Sequence, residues 1–216
     1  MGEIGSIGKG RLTTVSATSI NTGNEVQYSS DQIPWDEWPR AIVSSASIPA
    51  VFPHQLFMND VLMDGGMCHW GVKPEVVVQQ CLKIVDSLDQ ITLDIIMLEK
   101  PTVSEAESIA GQNTHENYAR AKDIKSYNSG MSNVFEAVRA YPDVNWRYLF
   151  QPSEHVPNGP RLMNFNNEST WFMQEMGRRD AQNLLTKEPG YAFALLQDWH
   201  ENQEPSFSEY LWSFIY

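Results

Sequence analysis

The stretch AIVSSASIPAVFPHQLFMNDVLMDGG, residues 41–66, decides how the chain reads. Ser44, Ser45, Ala46 and Ser47 are small residues that close a helix. Pro49 and Pro53 fix φ and remove two N–H donors, so the chain continues as an ordered connection rather than a helix. Residues 56–63 carry one or two short strands and deliver Asp64 to Gly65 and Gly66. A carboxylate at a strand end, followed by two glycines, permits a sharp bend and a close approach by substrate. Taken alone, Asp-Gly-Gly also reads as a turn that merely closes a hairpin.

Upstream, residues 11–19 (RLTTVSATS) are rich in Thr, Val and Ser and predict a strand. Asn21-Thr22-Gly23-Asn24 is a turn signal, and residues 25–29 alternate as the returning strand. Residues 35–45 predict a short helix with Pro39 in its first turns. Downstream, helix and strand alternate. Residues 74–88 place Val77, Val78, Cys81, Leu82, Val85 and Leu88 at helical spacing behind Pro74. Residues 91–98 (ITLDIIML) read as a buried strand. Residues 115–140 predict a long amphipathic helix, with a bend expected at Gly130. Residues 146–150 form another strand. Residues 168–185 form a helix with Met173, Met176, Ala181, Leu184 and Leu185 inward. The apolar tail, residues 206–214, closes as a helix or as a lipid- or partner-facing segment. Strands separated by long helices predict an α/β layered fold.

The chain has 216 residues, enough for one domain with a sizeable core. Asp plus Glu outnumber Lys plus Arg by 27 to 15, a net charge of −12. That field repels phosphate backbones and anionic membranes, which argues against nucleic-acid binding. Cys68 and Cys81 match no zinc or redox spacing, and two thiols are no disulfide framework. Residues 1–10 (MGEIGSIGKG) lack an apolar core of a secretory signal and read as a flexible lead-in. A reduced, cytoplasmic protein is therefore expected, with peripheral membrane contact as an addition. The sequon at Asn167-Glu168-Ser169 is taken as fortuitous. His54, Asp60, Asp64, Cys68 and His69 lie close in sequence, but their spacing fits no metal frame. His69 beside Asp64 would suit a Ser-His-Asp triad only with an elbow serine. Most of the seven tryptophans are expected to pack helices or core.

Ala46-Ser47-Ile48-Pro49-Ala50-Val51-Phe52-Pro53, followed after a short strand by Asp64-Gly65-Gly66, resembles the patatin-like phospholipase family. Ser16-Ala17-Thr18 and Asn21-Thr22-Gly23 are similar to the strand and turn that precede this block, so the resemblance spans residues 11–71. It implies a three-layer α/β/α fold. It also implies a lipid acyl hydrolase with a Ser–Asp dyad, in which Asp64 orients the serine and takes its proton. Gly65 and Gly66 support the motif, and no metal or cofactor is needed. Backbone N–H groups of the family's glycine-rich loop would hold the oxyanion.

The chain departs from the family in its nucleophile. No serine sits in Gly-x-Ser-x-Gly on a strand-to-helix elbow. The nearest is Ser6 in Gly5-Ser6-Ile7-Gly8, where Ile4 holds the first glycine position. Gly130-Met131-Ser132 lacks the second glycine. The expectation is a single partial domain over residues 1–216, with the nucleophile-bearing half and the oxyanion loop missing. Such a chain would carry the Asp side of the enzyme and leave a sheet edge for a protein partner or a second copy to cover. The alternative is a non-catalytic patatin-like module for binding or assembly.

Overall fold

A computed structural model describes residues 11–68, 71–98, 113–154 and 166–203. The fold is mixed α/β, and the chain divides into two compact units, Met1–Trp70 and Gly71–Tyr216. Ser6, His69, Trp70, His155 and the apolar tail lie outside the described residues.

The first unit is a four-stranded antiparallel sheet in the order β2-β1-β4-β3. Strands β1 (Thr14–Ser19) and β2 (Glu25–Ser29) form the expected hairpin. Gly23 adopts φ 73°, and its N–H donates to the Ser19 carbonyl at 2.9 Å. Strands β3 (Gln55–Phe57) and β4 (Asp60–Asp64) form a second hairpin. Its tip holds Met58 and Asn59 at φ 50° and 64°, as a tight two-residue turn requires.

One helix, α1 (Trp38–Ser45), covers one face of this sheet. A 3-10 turn, Trp35–Glu37, leads into it. Pro39 lies in the first helical turn, where a missing N–H costs nothing. Trp38, Ala41 and Ser44 recur every three residues and form the buried stripe. Trp38 and Ala41 meet Ala17, Phe57 and Leu62 from the sheet, with Ile33 closing the cluster. Phe57 packs edge-on to Tyr28, ring centroids 5.0 Å apart, and the Arg40 guanidinium lies over its face.

The second unit holds a parallel pair, β5 (Thr92–Ile96) and β6 (Asn145–Phe150), joined through the long helix α3 (Thr114–Ala140). Parallel neighbours need such a crossover. The buried strand expected over residues 91–98 is shorter and alternates. Leu93 and Ile95 are buried, whereas Thr92, Asp94 and Ile96 are exposed. Only one face of β5 is therefore covered among the described residues. The core gathers Leu93, Ile95, Met131, Val134, Trp146 and Leu149 with several neighbours. Trp146 donates its indole N–H to the Tyr141 carbonyl at 3.0 Å.

Helix α2 (Pro74–Cys81) starts where expected but stops seven residues earlier than its apolar spacing suggests. Leu82, Val85 and Leu88 still pack on the core, but from turns and a short 3-10 segment. Burial periodicity persists there without the helix. Helix α4 (Asn167–Leu184) is capped by Asn166, whose Oδ1 accepts from the Ser169 N–H at 2.8 Å. Met176 is its buried residue, and Leu185, expected inward, is exposed just past its end. Helix α5 (Tyr191–Gln203) was not foreseen; Phe193 and Leu196 seat it on the core. No helix of the described residues is long and apolar enough to cross a membrane.

Candidate functional site

Asp64 ends β4 opposite Ala17 of β1. Residues opposite one another in an antiparallel pair share a face, so Asp64 lies on the face that α1 covers. β3 pairs with β4 only as far as Gln55 opposite Leu62. Beyond that point the connection after α1 takes the place of β3: the Asp64 N–H donates to the Ser47 carbonyl at 3.0 Å. On the other side, the Thr18 hydroxyl donates to the Asp64 carbonyl at 2.9 Å. Hydrogen bonds to its backbone thus hold Asp64 from both sides.

The carboxylate then caps the next turn. Asp64 Oδ1 accepts from the Gly66 N–H at 2.7 Å and starts the 3-10 turn Gly65–Met67. Oδ2 has no hydrogen bond among the described residues, and the side chain is half-buried.

Gly65 is fixed by space. A Cβ there would stand 2.6 Å from the Ser16 carbonyl oxygen and 2.9 Å from its hydroxyl. Backbone cannot yield that distance cheaply, so β1 and the turn come together only through a glycine. The sequence marked both glycines as one motif. The structure gives them different tasks: Gly65 permits the approach and Gly66 supplies the N–H.

Asp60 is the better-held carboxylate and serves another purpose. The Ser19 hydroxyl, the Val61 N–H and the Asn21 amide all bond to it, and these outweigh desolvation and keep it below the usual carboxylate range. Asp60 thereby ties the β1–β2 turn to the β3–β4 hairpin.

The nearby serines are committed elsewhere. The Ser47 hydroxyl donates to the Val43 carbonyl at 2.7 Å and the Ser44 hydroxyl to the Arg40 carbonyl at 2.8 Å. Ser16, against Gly65, is a strand residue and not an elbow. No described serine occupies a strand-to-helix elbow. Of the other residues weighed with Asp64, His54 is exposed, and the Cys68 thiol donates to the Gly23 carbonyl at 3.2 Å. Among the described residues no three His, Cys, Asp or Glu side chains come together as a metal site.

Ser47 and Thr18 stand in the stretches that carry the resemblance, but their role as positioning residues, bonded to the Asp64 backbone, was not foreseen. No protein-family model and no curated protein matches the chain.

Proposed function

We propose that the chain is the Asp side of a patatin-like lipid acyl hydrolase, with Asp64 as the acid of a Ser–Asp dyad. In this reading the α/β fold is of the three-layer α/β/α kind, and its nucleophile comes from a segment other than those described. The observation that carries it is the half-buried Asp64. One carboxylate oxygen is pinned by Gly66, and the other is left unbonded among the described residues. A carboxylate held this way can accept a hydroxyl proton without reorienting. The Asp64 side chain would take the serine proton as Oγ attacks the ester carbonyl, and return it to the leaving alkoxide. Water would then release the acyl group by the same relay.

The second reading is a non-catalytic binding or assembly module. It is favoured by the absence of an elbow serine among the described residues, and by the fact that the Gly66–Asp64 bond alone closes a turn.

The test is fluorophosphonate labelling of the native protein in extracts of its source, read by intact mass, with Asp64→Asn introduced in parallel. The hydrolase reading expects a stoichiometric adduct on one serine of the native assembly and its loss in Asp64→Asn. Full labelling of the variant, or none of the native protein, would leave the binding module.

A further inference from the structure

We propose that residues 206–215 form a short helix that folds back along α5 and covers its outer side. The occupant of that side is thus a segment of this same chain, and the docking is independent of any role for Asp64.

Helix α5 is apolar on two sides. Phe193 and Leu196 are buried in the core. Tyr191, Ala194 and Leu195, at spacings of three and four, line the other side and are exposed, Tyr191 by 44% and Leu195 by 51%. A surface helix normally turns one apolar stripe to its core and a polar face to water. A second stripe at this spacing fits the ridges of a neighbouring helix.

The sequence directly after α5 is written for such a neighbour. The helix ends at Gln203, and Glu204-Pro205 follows. The residue before a proline is pushed out of the α region, so the chain turns there. Ser206-Phe207-Ser208-Glu209 then has the spacing of a capping box, with Ser206 as N-cap and Glu209 placed to reach back to its N–H. From that start Phe207, Tyr210, Leu211, Phe214 and Ile215 recur at helical spacing as one apolar stripe. Ser208, Glu209 and Ser213 fall on the opposite side.

The lengths also agree. Residues 204–206 make a three-residue connection, as a tight antiparallel helical pair requires. Leu195 lies about 12 Å back along the axis from Gln203, and Ile215 about 12 Å on from Phe207, so the two stand level. Tyr191 is one turn further. A helix this short is marginal alone in water, and packing on α5 supplies what it lacks. The short tether holds the segment at a local concentration of about millimolar, which favours it over a second copy or a separate protein.

The experiment is hydrogen–deuterium exchange of the full chain, read by mass spectrometry, with size exclusion in parallel. The amides of residues 211–215 are expected to exchange at least about tenfold more slowly than in a synthetic peptide of residues 204–216. Leu195→Asp, at an exposed position, and Leu211→Asp, on the proposed stripe, are each expected to abolish that slowing. The Leu93 and Leu149 amides, in the strands beneath, should stay protected in both variants. Residues 211–215 exchanging as fast in the full chain as in the peptide would overturn the proposal. So would slowing that survives Leu195→Asp, which would seat the segment on another surface. Slowing that fades on dilution, with a dimer that either variant breaks, would assign the outer side of α5 to a second copy and overturn it as well.

Discussion

The two sheets of this chain are built on opposite plans. In the first unit, every strand but one pairing joins neighbours across a short turn, and a single helix covers the face. In the second, two parallel strands meet only after a 27-residue helix has carried the chain back. Hairpins form from local contacts, whereas a crossover must close a long loop before its strands gain anything. The first unit therefore states its structure in turn residues. The second states it in burial, and its small details are left to side chains that meet late.

Substitutions can sharpen or break this contrast. The largest effect is expected for Phe57→Ala, which empties the fully buried site beneath Arg40 and beside Tyr28. It should cost about 3–5 kcal/mol in urea unfolding. A cost below about 1 kcal/mol would mean that the sheet–helix cluster is not the anchor of the first unit.

Glycine tests follow. Gly65→Ala places a methyl against the Ser16 carbonyl and should destabilise by about 1–3 kcal/mol. Gly177→Ala, inside α4 with nothing within 4 Å of the new methyl, should stabilise by about 0.5–1 kcal/mol. The same chemical change thus has opposite signs in the two units. Equal signs in thermal or urea unfolding would break the comparison.

The smallest effect concerns pH. Arg147 donates to Asp94 across β5 and β6, with Nε to Oδ1 at 2.9 Å. That hydrogen bond, opposed by partial burial, holds the Asp94 carboxyl below its usual range. A carboxylate lowered on folding stabilises the protein above its unfolded pKa. The gain is lost as pH falls through the lower folded value. The side chain is a third exposed, so the gain is below about 1 kcal/mol. Asp94→Asn should lower stability slightly at neutral pH, by a difference that shrinks as pH falls below the usual carboxylate range. A constant gap across that range would point to packing instead.

Much of the first unit was legible. Asn21 to Asn24 announced a turn, and β2 lies where alternation put it. Met58 was not legible as a turn residue, because nothing in a methionine announces positive φ; the neighbouring strand pairing imposes it. In the second unit, apolar spacing beyond Cys81 reported burial correctly and helix incorrectly, since turns can present the same side chains to a core. Helix α5 hid because, among the described residues, Phe193 and Leu196 are its buried ones, in a helix that starts directly after Pro189 and Gly190. Beyond the β1–β2 hairpin, which strands share a sheet was not readable, as pairing depends on contacts far apart in sequence. At the site, Asp64 and its glycines were visible as a motif. The grip of Ser47 and Thr18 on the Asp64 backbone was not, because both bonds join residues far apart in sequence.

One amide proton follows from that grip as a natural reporter. The Asp64 N–H is bonded to the connection after α1 and not to a strand, so it exchanges with deuterium when residues 46–53 lift away, even if the sheet stays closed. The Leu62 and Met63 amides beside it, within the strand, would exchange only when the ladder itself opens. The ratio of these rates separates the breathing of one surface loop from the unfolding of the sheet beneath it. The fold thus carries its own gauge of motion beside the carboxylate.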